Sequence, residues 1–243
     1  MHGWLRTLFV GVCVLLSATV GTDLCRADGL IDQLPPDGSW VRYQATLSNA
    51  SGSDKTQVTG TITIASVGKR VTEDQGPCRW LEIVSDLSDG KGKQVSVGKF
   101  LIPDSALARG QNPRNFIVKA WGKDGTGLKE EGTLPEDVGS MLDMLLHGPL
   151  EEAKPIAEAV VETKLGKLTC TGTSGSRSRR LGSEKETMNL KVASRLHAKV
   201  PFGVVEYAAK FSVAGSEPPQ TGSIRLLYED SGKDAKSALP MQD

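Results

Sequence analysis

Two histidines, a short arginine run, two cysteines and three tryptophans are the residues of the main body of this chain best placed to do chemistry. His147 stands where a helix is expected to end, and there a positive charge suits the helix dipole. His197 lies between Arg195 and Lys199, whose charges disfavour a second proton on the ring. Both are read as structural. A serine hydrolase of the G-x-S-x-G type needs its nucleophile on a strained elbow, and Gly172-Thr173-Ser174-Gly175-Ser176 has the wrong spacing. A glycosidase needs two inward carboxylates; Glu82 and Glu206 read as single acids on wet strand faces. Phosphate-loop, dinucleotide and zinc-protease patterns are missing. No catalytic residue, cofactor site or metal ligand is assigned, and the chain is read as non-enzymatic.

The cysteines depend on where the chain works. Residues 1–27 carry one early positive charge at Arg6, an apolar run from Leu8 to Val20 and a Cys25-Arg26-Ala27 exit. That is the pattern of a secretory signal peptide, too short in its apolar run to span a bilayer. The expected product starts at Asp28 and is exported, periplasmic or extracellular, with no transmembrane segment left. It keeps Cys78 and Cys170 of the four cysteines. In an oxidising compartment these are expected to form a disulfide, with two buried free thiols as the alternative. Without Arg6, Arg26 and Asp23 the 29 basic and 29 acidic residues become 27 and 28, a net charge of −1. Such a balance offers no field to attract nucleic acid. Ser176-Arg177-Ser178-Arg179-Arg180 reads as a solvated hairpin connection, with an anion site as the second reading. Trp40, Trp80 and Trp121 fall in strand candidates, either as core residues or as the lining of an apolar cavity.

The elements that must position these residues repeat every second residue. Met188, Leu190, Val192 and Leu196 alternate with Asn189, Lys191 and Arg195; Tyr207, Ala209, Phe211 and Val213 alternate with Lys210 and Ser212; Ile224, Leu226 and Tyr228 alternate with Arg225 and Glu229. Alternation of this kind marks half-buried strands. Val41–Leu47, Val58–Ile64, Trp80–Leu87, Val95–Ile102, Phe116–Trp121 and Val160–Thr171 bring the expected count to about eight. One segment has helical spacing: Val138, Met141, Leu142, Leu145 and Leu146 stand at i, i+3, i+4, i+7 and i+8, closed by Gly148-Pro149. Asp104–Arg109 reads as a single turn. Residues 28–38 and 231–243 read as loosely packed tails.

The stretches Gly38-Ser39-Trp40-Val41-Arg42-Tyr43, Ala198-Lys199-Val200-Pro201-Phe202-Gly203-Val204-Val205 and Gly232 to Pro240 resemble an uncharacterised group of secreted bacterial proteins. More distantly, the strand-rich pattern with one amphipathic helix and the Val-Pro-Phe-Gly-Val-Val phrase is similar to the outer-membrane lipoprotein carrier type. That likeness implies a curved sheet wrapped around helices, with acyl chains held between. The expected fold is a single mainly β domain (α+β), residues 28–243: a curved antiparallel sheet, half-barrel or open barrel, covered by the Glu136–His147 helix. The expected function is to bind an apolar or lipidic ligand between sheet and helix, with Met141, Leu142, Leu145, Leu146, Trp40, Trp80 and Trp121 as pocket candidates. The alternative is an envelope structural or interaction protein with no small-molecule ligand and a protein partner the sequence does not name. A close-packed interior would favour that alternative, and a cavity of several hundred cubic ångströms the first reading.

Overall fold

Eleven strands form one antiparallel sheet. The computed structural model describes residues 29–107, 111–128, 132, 134, 138, 139, 142, 146–180 and 186–239. The strands are β1 (Trp40–Ser51), β2 (Asp54–Thr72), β3 (Gly76–Ser88), β4 (Lys93–Pro103), β5 (Lys119–Asp124), β6 (Gly127–Leu128), β7 (Glu151–Thr163), β8 (Gly166–Arg180), β9 (Thr187–Leu196), β10 (Val204–Ala214) and β11 (Gln220–Gly232). Their order across the sheet is β6-β5-β4-β3-β2-β1-β11-β10-β9-β8-β7. Each strand therefore pairs with its neighbour in sequence, and β1–β11 joins the two halves. The long β6–β7 connection has to travel from one edge to the other.

The alternating pattern sets the register. Leu190 lies opposite Phe211, Val192 opposite Ala209, and Met188 opposite Val213. Tyr207 and Ala209 face Leu226 and Ile224, which face Ala45 and Leu47. These residues share one face, and a slip of one residue would turn the whole set to solvent. The resulting cluster runs from Phe100 on β4 to Val192 on β9. Six strand steps separate those strands, roughly 29 Å if the sheet were flat. Their residues join one contiguous cluster through the strands between them, and β6 and β7 do not pair, so the sheet stays open.

The stretch expected as one strand over Val160–Thr171 is a hairpin that turns between Thr163 and Gly166, because Lys164-Leu165-Gly166 supplies a turn with Gly166 at φ 92°. The basic segment Ser176–Arg180 belongs to β8 rather than to a loop. Asp104–Leu107 and Pro113–Phe116 are 3-10 turns. Of the expected helix, Val138, Gly139 and Leu142 are helical, and the Leu146 amide donates to the Leu142 carbonyl at 2.9 Å. Glu136, Asp137, Met141 and Leu145 lie outside the described residues, as does the expected signal peptide. His147 sits in irregular chain beyond the helical residues. A continuous amphipathic helix covering the sheet is therefore not what the described residues establish.

The described parts of the tails, 29–38 and 231–239, are not loose. Leu30 and Ile31 are fully buried in the inner cluster, and Leu239 is buried on the opposite face. The expected disulfide is absent. Cys78 and Cys170 are buried free thiols on β3 and β8, six strand steps apart. Cys78 belongs to the outer cluster and Cys170 to the inner one. A disulfide needs Cα atoms within about 7 Å, which this placement denies.

Candidate binding surfaces on the two faces of the sheet

The inner face is filled by its own side chains. Tyr43, Tyr207, Phe100 and Phe202 are fully buried there, and Val138, Leu142 and Leu146 join the same cluster. The Tyr43 hydroxyl donates across the interior to the Val204 carbonyl at 3.1 Å. Burial pushes both tyrosine phenols far above their ordinary value, so they stay neutral. His147 stacks on Tyr207, with ring centroids 6.2 Å apart, and its Nδ1 lies 2.9 Å from the Gly148 carbonyl. That contact places a proton on Nδ1.

Beside His147 a cleft forms where two elements meet. Arg177 and Arg179, two residues apart on β8, face inward opposite Leu190 and Met188 of β9. They meet Asn112 and Arg114 from the second 3-10 turn, together with Leu146 and His147. The Arg177 guanidinium packs over Gly148, where a Cβ would come within 2.5 Å of it. Burial, and then the charge of Arg179, draws Arg114 below its ordinary value. The cavity measures about 20 Å³, enough for about one water and far short of an acyl chain. Larger open spaces lie at the ends of the strands. One of about 620 Å³ is lined by Ser48, Lys55, Thr56, Lys210, Thr221 and Phe211. Another of about 590 Å³ lies among Leu47, Val58, Leu87, Asp89 and Lys93.

The outer face of β3–β5 carries a second apolar cluster of Cys78, Trp80, Val97, Leu101 and Trp121, closed by Leu239 of the C-terminal tail. The rings of Trp80 and Trp121 lie 5.2 Å apart. Glu82 and Lys99 are cross-strand neighbours in this face, 2 % and 1 % exposed. The Glu82 carboxylate accepts from the Ala238 amide at 2.9 Å, the Leu239 amide at 3.3 Å and the Ser237 hydroxyl at 2.7 Å. Lys99 Nζ donates to Ser237 Oγ at 3.0 Å and to the Leu239 carbonyl at 3.4 Å, and sits 5.3 Å from the Trp80 ring centroid. Burial draws the Lys99 ammonium below its ordinary value, and the charge of Glu82 opposes that. Glu82, read from sequence as a surface acid, is thus a buried acceptor for main-chain N–H groups.

The pocket candidates do not converge. Leu142 and Leu146 are on the inner side, whereas Trp80 and Trp121 are on the outer side. Trp40 lies against Gly232, with Arg42 5.7 Å from its ring. Met141 and Leu145 lie outside the described residues. Glu206 is half-buried between Arg195 at 3.6 Å and Arg225 at 2.9 Å. His197 accepts from the Lys199 amide at 3.1 Å in the turn after β9. Among the described residues no group of three His, Cys, Asp or Glu side chains could hold a metal ion. Nor is any helix among them long and apolar enough to cross a membrane.

No protein-family model matches the chain, and no curated protein matches it. The solved structures it is similar to include the following two. A lipoprotein candidate from Parabacteroides distasonis shares 9 % identity over 84 % of this chain and 98 % of its own, with a TM-score of 0.33. An exported-protein candidate with a YmcC-like fold, from Bacteroides fragilis, shares 8 % identity over 82 % of this chain and 98 % of its own, with a TM-score of 0.32.

Proposed function

We propose that this chain is an exported, non-enzymatic interaction protein of the cell envelope, whose sheet is a scaffold and not a container. One observation carries the reading: among the described residues the inner face is closely packed by its own side chains. Its aromatic and aliphatic side chains fill it, and the residues crossing it from the β6–β7 connection belong to the same buried cluster. Burying an acyl chain there would require displacing side chains that already bury one another, with little net gain in apolar burial. Of the open spaces of several hundred cubic ångströms, one is lined largely by lysines and hydroxyls, and the other sets Leu47, Val58 and Leu87 beside the charged Asp89–Lys93 turn.

The test is titration of folded, delipidated protein with a fluorescent fatty-acid probe. The scaffold reading expects no saturable binding; a saturable stoichiometric site would restore the container. The second reading is an amphiphile with an anionic head. The inward convergence of Arg114, Arg177, Arg179 and His147 beside Leu146 and Leu190 favours it, and the same titration reads it. Export is tested separately by N-terminal sequencing of the secreted product, which should begin Asp-Gly-Leu-Ile.

A further inference from the structure

The outer face of β3–β5 holds a peptide segment, and that segment is the chain's own tail. What holds it is concentrated in three residues. Glu82 takes two main-chain amides and a hydroxyl, Lys99 takes a carbonyl and the same hydroxyl, and Leu239 enters the apolar cluster with Trp80, Leu101 and Trp121. Between the end of β11 and these residues lie Lys233 and Asp234, both exposed, and Ala235, whose amide donates to the Gly38 carbonyl at 2.8 Å. The groove therefore reads main-chain groups, one hydroxyl and one leucine, all of which travel with the segment.

We propose that this groove is a peptide-binding site whose second occupant is the Lys233–Leu239 segment of another copy of this chain, so that copies pair by exchanging tails. The inference deepens the scaffold reading and rests on it. An empty groove is costly, because it exposes the apolar cluster of Trp80, Leu101 and Trp121 that Leu239 closes and strips Glu82 and Lys99 of the amides, hydroxyl and carbonyl they now engage. An identical segment from a second copy satisfies every one of these contacts. Exchange of an identical element gives up only the advantage of tethering, an effective concentration on the order of millimolar for a short link. The groove is then always filled, by its own tail or by another's.

Two full-chain variants test this. Leu239→Ala has an intact groove and a poor tail, its hold weakened on the order of tenfold or more by the lost apolar burial. Glu82→Gln has an intact tail and a groove that loses its paired acceptor. Each alone is expected to stay monomeric in native mass spectrometry. Mixed, the good tail enters the good groove and one-to-one pairs appear, increasing with concentration. A mixture that shows only the two monomers overturns the proposal. Should Glu82→Gln fail to fold by near-ultraviolet circular dichroism, a labelled Lys233–Leu239 peptide is titrated into the Leu239→Ala chain by fluorescence anisotropy. Binding at least about tenfold tighter than to the unsubstituted chain is expected; equal affinity, or none, overturns the proposal. The fatty-acid titration reads the scaffold proposal independently, so a mixture without pairs and without fatty-acid binding removes tail exchange alone.

Discussion

Gly98 offers a sharp test of how the β6–β7 connection packs. A Cβ built at this position on β4 would stand 2.4 Å from Val138 Cγ1 and 3.4 Å from Leu134 Cδ2. Ordinary carbon contacts lie at about 3.5–4.0 Å, so Gly98→Ala leaves a shortfall of about 1 Å or more. Val138 is fully buried, and its branched side chain has few rotamers into which to retreat. Overpacking of this kind costs about 1–3 kcal/mol, offset by about 0.4–1 kcal/mol from the stiffer unfolded chain. The net expectation is a loss of about 1–2 kcal/mol, or about 2–8 °C in Tm. Val138→Ala alone should cost about 2 kcal/mol, through lost burial and the cavity left behind. The double variant should relieve the clash, so its loss falls short of the sum by at least about 1 kcal/mol. Denaturant melts of the four proteins measure this coupling. Additivity within about 0.5 kcal/mol would refute the claim that the segment at Val138 presses on β4.

In the product that starts at Asp28, Cys78 and Cys170 should both alkylate in denaturant without reductant, adding two labels by mass; a product that takes none would carry the bond that the fold denies. Leu190→Asp puts a charge at a site 2 % exposed and should abolish cooperative unfolding at a cost above about 4 kcal/mol, whereas exposed Lys191→Asp should stay within about 0.5 kcal/mol. Equal effects of the two would mean that the faces of β9 are reversed. Asp230 is held below its ordinary value of 3.8, first by the hydrogen bond from Lys164 and then by the Ser231 amide. A depressed carboxylate stabilises the fold above its unfolded value, and that contribution is lost as pH falls through its folded value. Asp230→Asn should therefore lower Tm above about pH 4 and converge with the parent in more acid solution; a constant difference at all pH values would exclude the charge as the cause.

Much of the sheet is legible in single segments. The period of two in Met188–Leu196, Tyr207–Val213 and Val41–Leu47 assigns each strand its buried face, because successive side chains in extended backbone must point to opposite sides. Short turns then make sequence neighbours pair, and the register of Leu190 on Phe211 follows from keeping both apolar sets on one side. The β7–β8 hairpin was harder to see, because β7 is mostly exposed and alternates weakly. A signal for the outer groove was present: Trp80–Val84 and Val97–Ile102 are nearly continuous apolar runs broken by Glu82 and Lys99, the pattern of strands buried on both faces.

Tertiary structure alone decided what covers each face. Nothing near Glu82 in sequence says that Ser237–Leu239 will lie on it, 155 residues or more away. Nothing local turns Arg177 and Arg179 toward His147 rather than toward water, or sets Cys78 and Cys170 in separate clusters. Backbone geometry fixes the periodicity of a strand within a few residues. Burial depends on which distant segment arrives, and that is settled only when the sheet has formed and its connections and tails pack on it.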